Sequence, residues 1–236
     1  MKFDIITIFP KILDSYINES ILGRAQKKKF IKIKTHDLRK WADGKHKKVD
    51  DKPYGGGPGM LFKVEPIYKA VQSLVKNKLG KTGQSSRRKT KIILMSAKGK
   101  TFNQQIAKQL VKYERLVFIC GRYEGVDERV AKHIAHMELS VGNYVLAGGE
   151  LPAIMVVEAV SRLISGVLGK MESLGEESFD NKISSSNGLI ENSLVEYPQY
   201  TRPEIFSSNK KTKWRVPKIL ISGNHKKIKE WRDSKR

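Results

Sequence analysis

The sequence is short of several things that would each fix a function class early. It has one cysteine, Cys120, so no internal disulfide and no cysteine-based zinc site can form. No segment approaches about 18 consecutive apolar residues, so nothing reads as a membrane span. The start, MKFDIITIFP, has no basic stretch ahead of a long apolar run and a small-residue cleavage site, so no secretory leader is expected. Acidic residues are scarce as well: 24 Asp and Glu stand against 46 Lys and Arg, a formal net charge of +22 over 236 residues. A hydrophobic content of 39% is still enough for a core and argues against a disordered chain. A chain of this length buries about 70% of its unfolded surface without disulfides or structural metal. The expectation is a soluble, cytoplasmic protein of one large domain, or one domain with a smaller lobe.

The cationic excess is not evenly spread. Between Arg24 and Lys52 there are 12 basic and 4 acidic residues, and between Thr201 and Arg236 there are 12 and 3. Aromatic residues lie among these charges (Phe30, Trp41, Trp214, Trp231), the mixture expected of a surface that follows a phosphate backbone and stacks on bases. Lysine supplies 34 of the 46 cations, so the alternative is a merely solvated basic surface. The clustering favours nucleic acid or another phosphate-rich partner.

Hydrophobic patterning predicts an α/β unit with a parallel sheet. The run FDIITIF reads as a buried strand stopped by Pro10. Residues 11–26 have helix-like apolar spacing, and 30–33 form a second β-like run. A glycine-rich loop (50–60, DDKPYGGGPGM) precedes a helix over 64–79 and a polar loop over 80–90. Then come a strand over 91–95, a helix over 103–112, a strand over 116–120, a helix over 124–135, a short strand over 138–140 and an apolar helix over 153–164. Residues 170–193, rich in Ser, Glu, Asn and Gly, read as a long flexible linker. The division is therefore an α/β domain over 1–169, the linker, and a small basic carboxy-terminal domain over 194–236 with one or two short helices.

Three polar or glycine-rich segments follow predicted strands: SAKGK (96–100), GRYEG (121–125) and VGNYVLAGG (141–149). In open α/β sheets, ligands bind outside the carboxyl ends of the strands, and glycine lets backbone groups approach a flat ligand. Any one of these is an ordinary turn; together they point to a single small-molecule pocket. No G-x-x-x-x-G-K-[ST] is present, so this is no P-loop nucleoside triphosphatase. No G-x-G-x-x-G opens a helix after a strand, and neither HExxH nor G-x-S-x-G occurs. His133 and His136 are three apart but have no third ligand beside them.

The segments VDDKPYGGGPGM (49–60), CGRYEGVDERV (120–130), SVGNYVLAGGELPA (140–153), SRLISGVLG (161–169), EYPQYTRPE (196–204) and LISGNHKKIKEWR (220–232) closely resemble the bacterial tRNA (guanine-N1)-methyltransferases. The match runs in order from residue 1 to about 232. The resemblance implies the SPOUT methyltransferase fold, with a deep trefoil knot in the cofactor-binding region and a small, mainly helical carboxy-terminal domain. It implies a homodimer with active sites between subunits. The implied reaction moves a methyl group from S-adenosyl-L-methionine to N1 of the guanosine just 3′ of the tRNA anticodon (position 37), with Mg2+ assisting. Neither membrane nor DNA is an expected partner. By that resemblance the cofactor pocket falls on Leu94, Met95, Ser96 and Ala97; on Gly121, Tyr123, Glu124 and Gly125; and on Val141, Gly142, Asn143, Tyr144, Val145, Leu146, Gly148, Gly149 and Pro152. The loop over 54–60 and the carboxy-terminal domain fall where the family holds tRNA.

Guanine N1 carries a proton at neutral pH, and its removal places negative charge on O6. The chemistry therefore needs a carboxylate within reach of N1–H, a fixed cation or N–H donor near O6, and a target base splayed out of its stack. Arg162 matches the family's active-site arginine and is expected at O6. The family's Asp-Ser-Phe motif reads Glu177-Ser178-Phe179 here, which makes Glu177 the expected base, with Asp180 as a substitute. The extra methylene moves the carboxylate by about an ångström, a shift that can cost ~10²-fold in rate. Glu124 is a second carboxylate expected near the cofactor, toward Mg2+ or the sulfonium. Residues 181–193 look like an insertion, and the chain ends soon after Trp231-Arg232, so a shortened carboxy-terminal domain is expected. Two alternatives stand beside this reading: a tRNA- and cofactor-binding protein without turnover, and a related ribosomal RNA methyltransferase.

Overall fold

The computed structural model describes residues 1–76, 89–168, 196–209 and 212–235. It contains two units, Met1–Gly169 and Lys170–Arg236. The first is built on strands whose side chains alternate between two apolar layers, as period-two patterning requires. Strands β1 (Lys2–Thr7), β2 (Lys32–Asp37), β5 (Thr90–Thr101), β6 (Arg115–Cys120) and β7 (Met137–Ser140) form one sheet in the order β2-β1-β6-β5-β7. Every pairing in it is parallel. Two-residue strands β3 (Asp50–Asp51) and β4 (Leu61–Phe62) pair antiparallel at the base of the glycine-rich loop.

On one face Phe3, Ile5, Leu116 and Phe118 pack with Leu13, Ile17, Leu22, Ile106, Leu110, Val156 and Val160. Those partners come from the turn before α1 (Asp14–Asn18) and from α1 itself, α2 (Ser20–Lys27), α4 (Gln104–Leu110) and α6 (Glu150–Arg162). On the other face Ile6, Ile8, Val117 and Ile119 meet Ile67, Val71 and Leu74 of α3 (Val64–Lys76) and Val130 of α5 (Glu128–His133). Each fully buried aliphatic or aromatic side chain contributes roughly 1.5–3 kcal/mol, so helices on both faces stabilise the parallel sheet.

Several boundaries differ from the patterning, among them the start of α5 at Glu128 and of α6 at Glu150; three of the differences have a clear local reason. The helix expected over 11–26 is two helices, broken at the extended Glu19 and followed by Ser20, whose φ is +48°. A Cβ at Gly23 would lie 2.2 Å from the carbonyl oxygen of Asn18, so that glycine permits the corner. Strand β2 starts later and runs further than 30–33: Ile33 and His36 are buried on opposite faces, while Lys32 and Lys34 stay exposed. An edge strand tolerates such charges. Strand β5 continues through SAKGK: it leaves its pairing with β7 after Met95 and resumes at Lys100, both residues lying opposite Leu139. A Cβ at Gly99 would sit 2.7 Å from backbone atoms of Glu138 and Leu139, so only glycine lets the two chains cross so closely.

In the carboxy-terminal unit a hairpin joins β8 (Ile205–Ser207) to β9 (Lys213–Arg215). Its Phe206 and Trp214 rings lie 5.4 Å apart. A 3-10 turn (Lys218–Ile221) and α7 (His225–Asp233) follow, the latter capped by the Asn224 side chain accepting from the Lys227 N–H. Trp231 lies 6.4 Å from Tyr200, and Arg232 lies over the Tyr197 ring. No described residue of this unit is fully buried. The hairpin was not expected; strands of three residues give too short a run for alternation to register.

At the amino end of β1, Asp4 is buried and bonded at 2.6 Å both to His36 Nε2 and to Arg115 Nε. Burial alone would raise its pKa, but the hydrogen bonds from His36 and Arg115, with their charges, outweigh it and hold the carboxyl below its ordinary value. A carboxylate with a depressed folded-state pKa stabilises fully above its unfolded value, about 3.9, and that contribution is lost as pH falls through the folded value. Asp4→Asn is therefore expected to lower stability at neutral pH, and the gap from wild type should close below about pH 4. Urea unfolding of both proteins across pH checks this.

Candidate active site

The carboxyl ends of β5, β6 and β7 open into one cavity of about 640 Å³, within the size range of small-molecule sites. All three glycine-rich segments line it. From the expected cofactor set, every residue except Asn143 is in its wall. The segment 141–149 is shaped by Ser140, whose hydroxyl donates to the Gly142 carbonyl at 3.0 Å and accepts from the Gly142 N–H at 3.2 Å. It then crosses to β6, where the Gly149 N–H donates to the Gly121 carbonyl at 3.0 Å. A Cβ on Gly149 would lie 2.8 Å from Cys120 Cα and 3.0 Å from Met95 Cβ.

Two side chains that the sequence reading passed over hold these segments in place. Glu150, 1% exposed, accepts from the Thr7 hydroxyl at 2.6 Å and from Arg122 Nε at 3.0 Å. Arg122 also forms backbone bridges to Gly125 and Gly148 and lies 4.8 Å over the Phe9 ring. The signal was a glutamate in GGELP, at the start of an otherwise apolar helix, paired with an arginine just after a buried strand. The sequence reading gave no task to Glu138 either: it lines the cavity, and its Oε2 is buried with no hydrogen-bond partner among the described residues. Cys120 is buried beneath the cavity, and burial together with the charge of Glu150 pushes its thiol pKa well up, so it stays a neutral thiol.

The glycine-rich loop over 54–60 is tied to the cavity edge. The Glu124 N–H donates to the Met60 carbonyl at 3.1 Å, and the Phe62 N–H to the Gly125 carbonyl at 3.0 Å. Leu61 enters the cavity wall. Gly55, Gly56, Gly57 and Gly59 all have positive φ, and Tyr54 is fully exposed beside them. Glu124 is exposed at the rim, against Gly59.

Arg162 is not at the cavity. It ends α6, whose first residue is Glu150, and twelve steps at 1.5 Å put the two about 18 Å apart. Glu177 and Asp180 lie outside the described residues. Among the described residues no group of three or more His, Cys, Asp or Glu is gathered to hold a metal ion.

Removing one member of a buried ion pair leaves the other uncompensated and costs about 3–5 kcal/mol. Glu150→Ala is expected to lower stability by that amount, measured by denaturant unfolding. Gly149→Ala is expected to destabilise by about 1–3 kcal/mol through the forced shift against Cys120 and Met95.

A family model described as tRNA (guanine-1)-methyltransferase TrmD matches residues 1–236. A tRNA (guanine-N(1)-)-methyltransferase of Dehalococcoides mccartyi is 45% identical over 232 residues, covering 98% of this chain and 84% of the relative. That of Dictyoglomus turgidum is 48% identical, covering 98% and 83%. The crystal structure of tRNA (m1G37) methyltransferase from Aquifex aeolicus superposes with a TM-score of 0.73 at 37% identity, covering 98% of this chain and 87% of that one. With a match along its whole length and the same parallel α/β architecture, the chain belongs to the tRNA (guanine-1)-methyltransferase family.

Proposed function

We propose that the protein transfers the methyl group of S-adenosyl-L-methionine to N1 of the guanosine 3′ of the tRNA anticodon, position 37, giving 1-methylguanosine. One observation carries this reading: in a chain of this family, three glycine-rich segments converge on a single backbone-lined cavity. The cavity suits the cofactor. Glycines at 121, 125, 142, 148 and 149 offer backbone groups without Cβ atoms. Leu94, Leu146 and Pro152 give apolar walls, and the unpartnered Glu138 Oε2 is an acceptor waiting for a donor or a positive charge. Leu94–Ala97, Gly121–Gly125, Val141–Leu146, Gly148, Gly149 and Pro152 would hold it, and the bound cofactor supplies an electrophilic methyl group on a sulfonium sulfur.

The remaining tasks belong to this chain. The Glu177 carboxylate accepts the N1 proton, and the Arg162 guanidinium stabilises the charge that then develops on O6. The loop over 54–60 and the basic carboxy-terminal domain position the splayed anticodon loop. The crossings at Gly99 and Gly149 favour a trefoil path for the chain. Mg2+, which keeps most of its waters and needs few protein ligands, completes the requirements. No helix among the described residues is long and apolar enough to cross a membrane, and we assign the protein to the cytoplasm with its tRNA substrate.

The absence of Arg162 from the cavity wall, ten residues along α6 from Pro152, is resolved by a homodimer whose second copy supplies the arginine. An exposed stripe along α6 favours it: Leu151 and Met155 are 59% and 49% exposed and lead in helical register to Glu158 and Arg162, with Ile12 and Tyr16 beside them, also about half exposed.

Labelled S-adenosyl-L-methionine, Mg2+ and two tRNA transcripts differing only in guanosine or adenosine 3′ of the anticodon test the reading. The expected product is 1-methylguanosine from the guanosine transcript alone, with Glu177→Gln reducing the rate by about 10²–10⁴-fold. Cofactor binding with neither transcript methylated would instead establish a binding protein. Met155→Lys is expected to convert a particle of twice 26.8 kDa into a monomer in sedimentation and to abolish turnover.

A further inference from the structure

The large cavity contains one group that neither the fold nor the proton and methyl transfers use. Glu138 stands in β7 between Met137 and Leu139. Those two side chains pack in the apolar layer of Phe3 and Phe118, so Glu138 faces the other way, as strand alternation requires. It is aligned with Leu94 of β5, and aligned residues on strands about 4.8 Å apart share a face. On that face Leu94 packs in the layer that contains Val130 and Ile134. The fold therefore has an aliphatic layer at this position, and the sequence places a carboxylate in it.

The backbone of Glu138 is pinned by the crossing of β5, since a Cβ at Gly99 would lie 2.7 Å from its carbonyl carbon. Lys98 lies within the field of the carboxylate: its hydrogen bond to Glu128 at 2.5 Å and then the charge of Glu138 raise the lysine pKa above its ordinary value. The charge of Glu138 is thus partly offset at a distance, while its Oε2 still has no hydrogen to accept. That atom is buried, and its residue lines the cavity. Among the described residues only the Ser161 hydroxyl is likewise buried without a partner, and Ser161 is not in the cavity wall. A buried acceptor without a donor costs free energy, so such an exception calls for an explanation.

The sulfonium of the cofactor carries charge but no hydrogen, so the reacting centre cannot complete this acceptor. The adenosine half can, because its 6-amino group and its two ribose hydroxyls are donors. The α-ammonium of the methionine half is a donor as well, but the register places Glu138 beside Leu94, one of the apolar walls against which a flat base lies. We infer that Glu138 recognises adenosine: its carboxylate accepts a hydrogen bond from the adenine amino group or a ribose hydroxyl of S-adenosyl-L-methionine. This rests on the cofactor reading above and adds a specific side chain to a site otherwise formed by loop backbone. The stability forgone at this position in the empty protein is recovered when the ligand binds.

The test uses Glu138→Leu, which completes the aliphatic layer, and Glu138→Gln, which keeps one acceptor oxygen. Calorimetry follows binding of S-adenosyl-L-homocysteine and of 5′-methylthioadenosine, which lacks the amino-acid end, and the melting temperature is recorded without ligand. Glu138→Leu is expected to bind both ligands about ten- to hundredfold more weakly while melting at the same temperature as wild type or higher. Glu138→Gln should lose less. With 5′-methylthioinosine, whose 6-position carries oxygen, a penalty seen in wild type and absent in Glu138→Leu assigns the amino group. A penalty equal in both assigns a ribose hydroxyl. Loss on S-adenosyl-L-homocysteine alone would overturn the adenosine contact in favour of the amino-acid end. Variants that bind both ligands as wild type does would overturn the role of Glu138, as would a fall in melting temperature in both variants with affinity unchanged. Failure of the methyltransferase reading is distinguishable, because wild type itself would then neither bind S-adenosyl-L-homocysteine nor turn over.

Discussion

The loops at the carboxyl end of the sheet consist largely of glycines and small residues, which cannot hold one another by side-chain packing. Their alignment rests on the buried pair of Arg122 and Glu150. Glu150 joins the start of α6 to the end of β1 through Thr7 and to the loop after β6 through Arg122. Arg122 in turn bridges the backbone at Gly125 and Gly148. One carboxylate thus sets the mutual position of segments far apart in sequence. A buried ion pair is not efficient as a source of stability, but it is directional, and direction is what a cavity lined by backbone requires.

The same constraint separates what sequence could show from what it could not. The order of strands and helices was legible because each buried strand is a short apolar run between polar loops, and the convergence of three loops followed from their places at strand ends. Arg122 and Glu150 stood inside recognised motifs without an assigned task, because pairing between residues 28 positions apart leaves no periodic trace. The crossing at Gly99 was hidden for a related reason. A glycine after a strand reads as a turn, and only the approach of β7 reveals that the missing Cβ is a matter of clearance. The hairpin of the carboxy-terminal unit went unseen because its pairing of Phe206 with Trp214 spans a polar loop. Arg162 was assigned by motif, and its distance from the cavity could not be read until α6 had a measured extent.

The cations of this chain are many, but their arrangement differs along the sheet. At the carboxyl end, Lys98 is engaged with Glu128 at 2.5 Å and Arg129 with Asp127 at 2.6 Å, so the rim of the large cavity is nearly balanced. At the amino end, Lys2, Lys32 and Arg115 are aligned with one another. A lysine-rich composition by itself would scatter charge; register concentrates it. The two ends of one sheet therefore present different surfaces: a balanced, glycine-lined cavity at the carboxyl ends of the strands, and an aligned row of cations at the amino ends.

Helix α6 acts as a ruler for the whole reaction. Its first turn places Pro152 in the cavity wall and ties Glu150 to Arg122, and its last residue is Arg162. A helix of that length cannot bend to bring both ends to one place without losing the buried contacts of Val156, Val157 and Val160. In the proposed homodimer the arginine that meets a base beside the cavity belongs to the other copy, and the exposed apolar stripe at Leu151 and Met155 is the surface on which the copies would meet. Folding, pairing and chemistry then rest on one element. The inward face of α6 completes the core; in the proposed homodimer its outward face would meet the second chain and its two ends would serve two different active sites. Substitutions on the outward face should for that reason change turnover far more than they change the stability of the single chain.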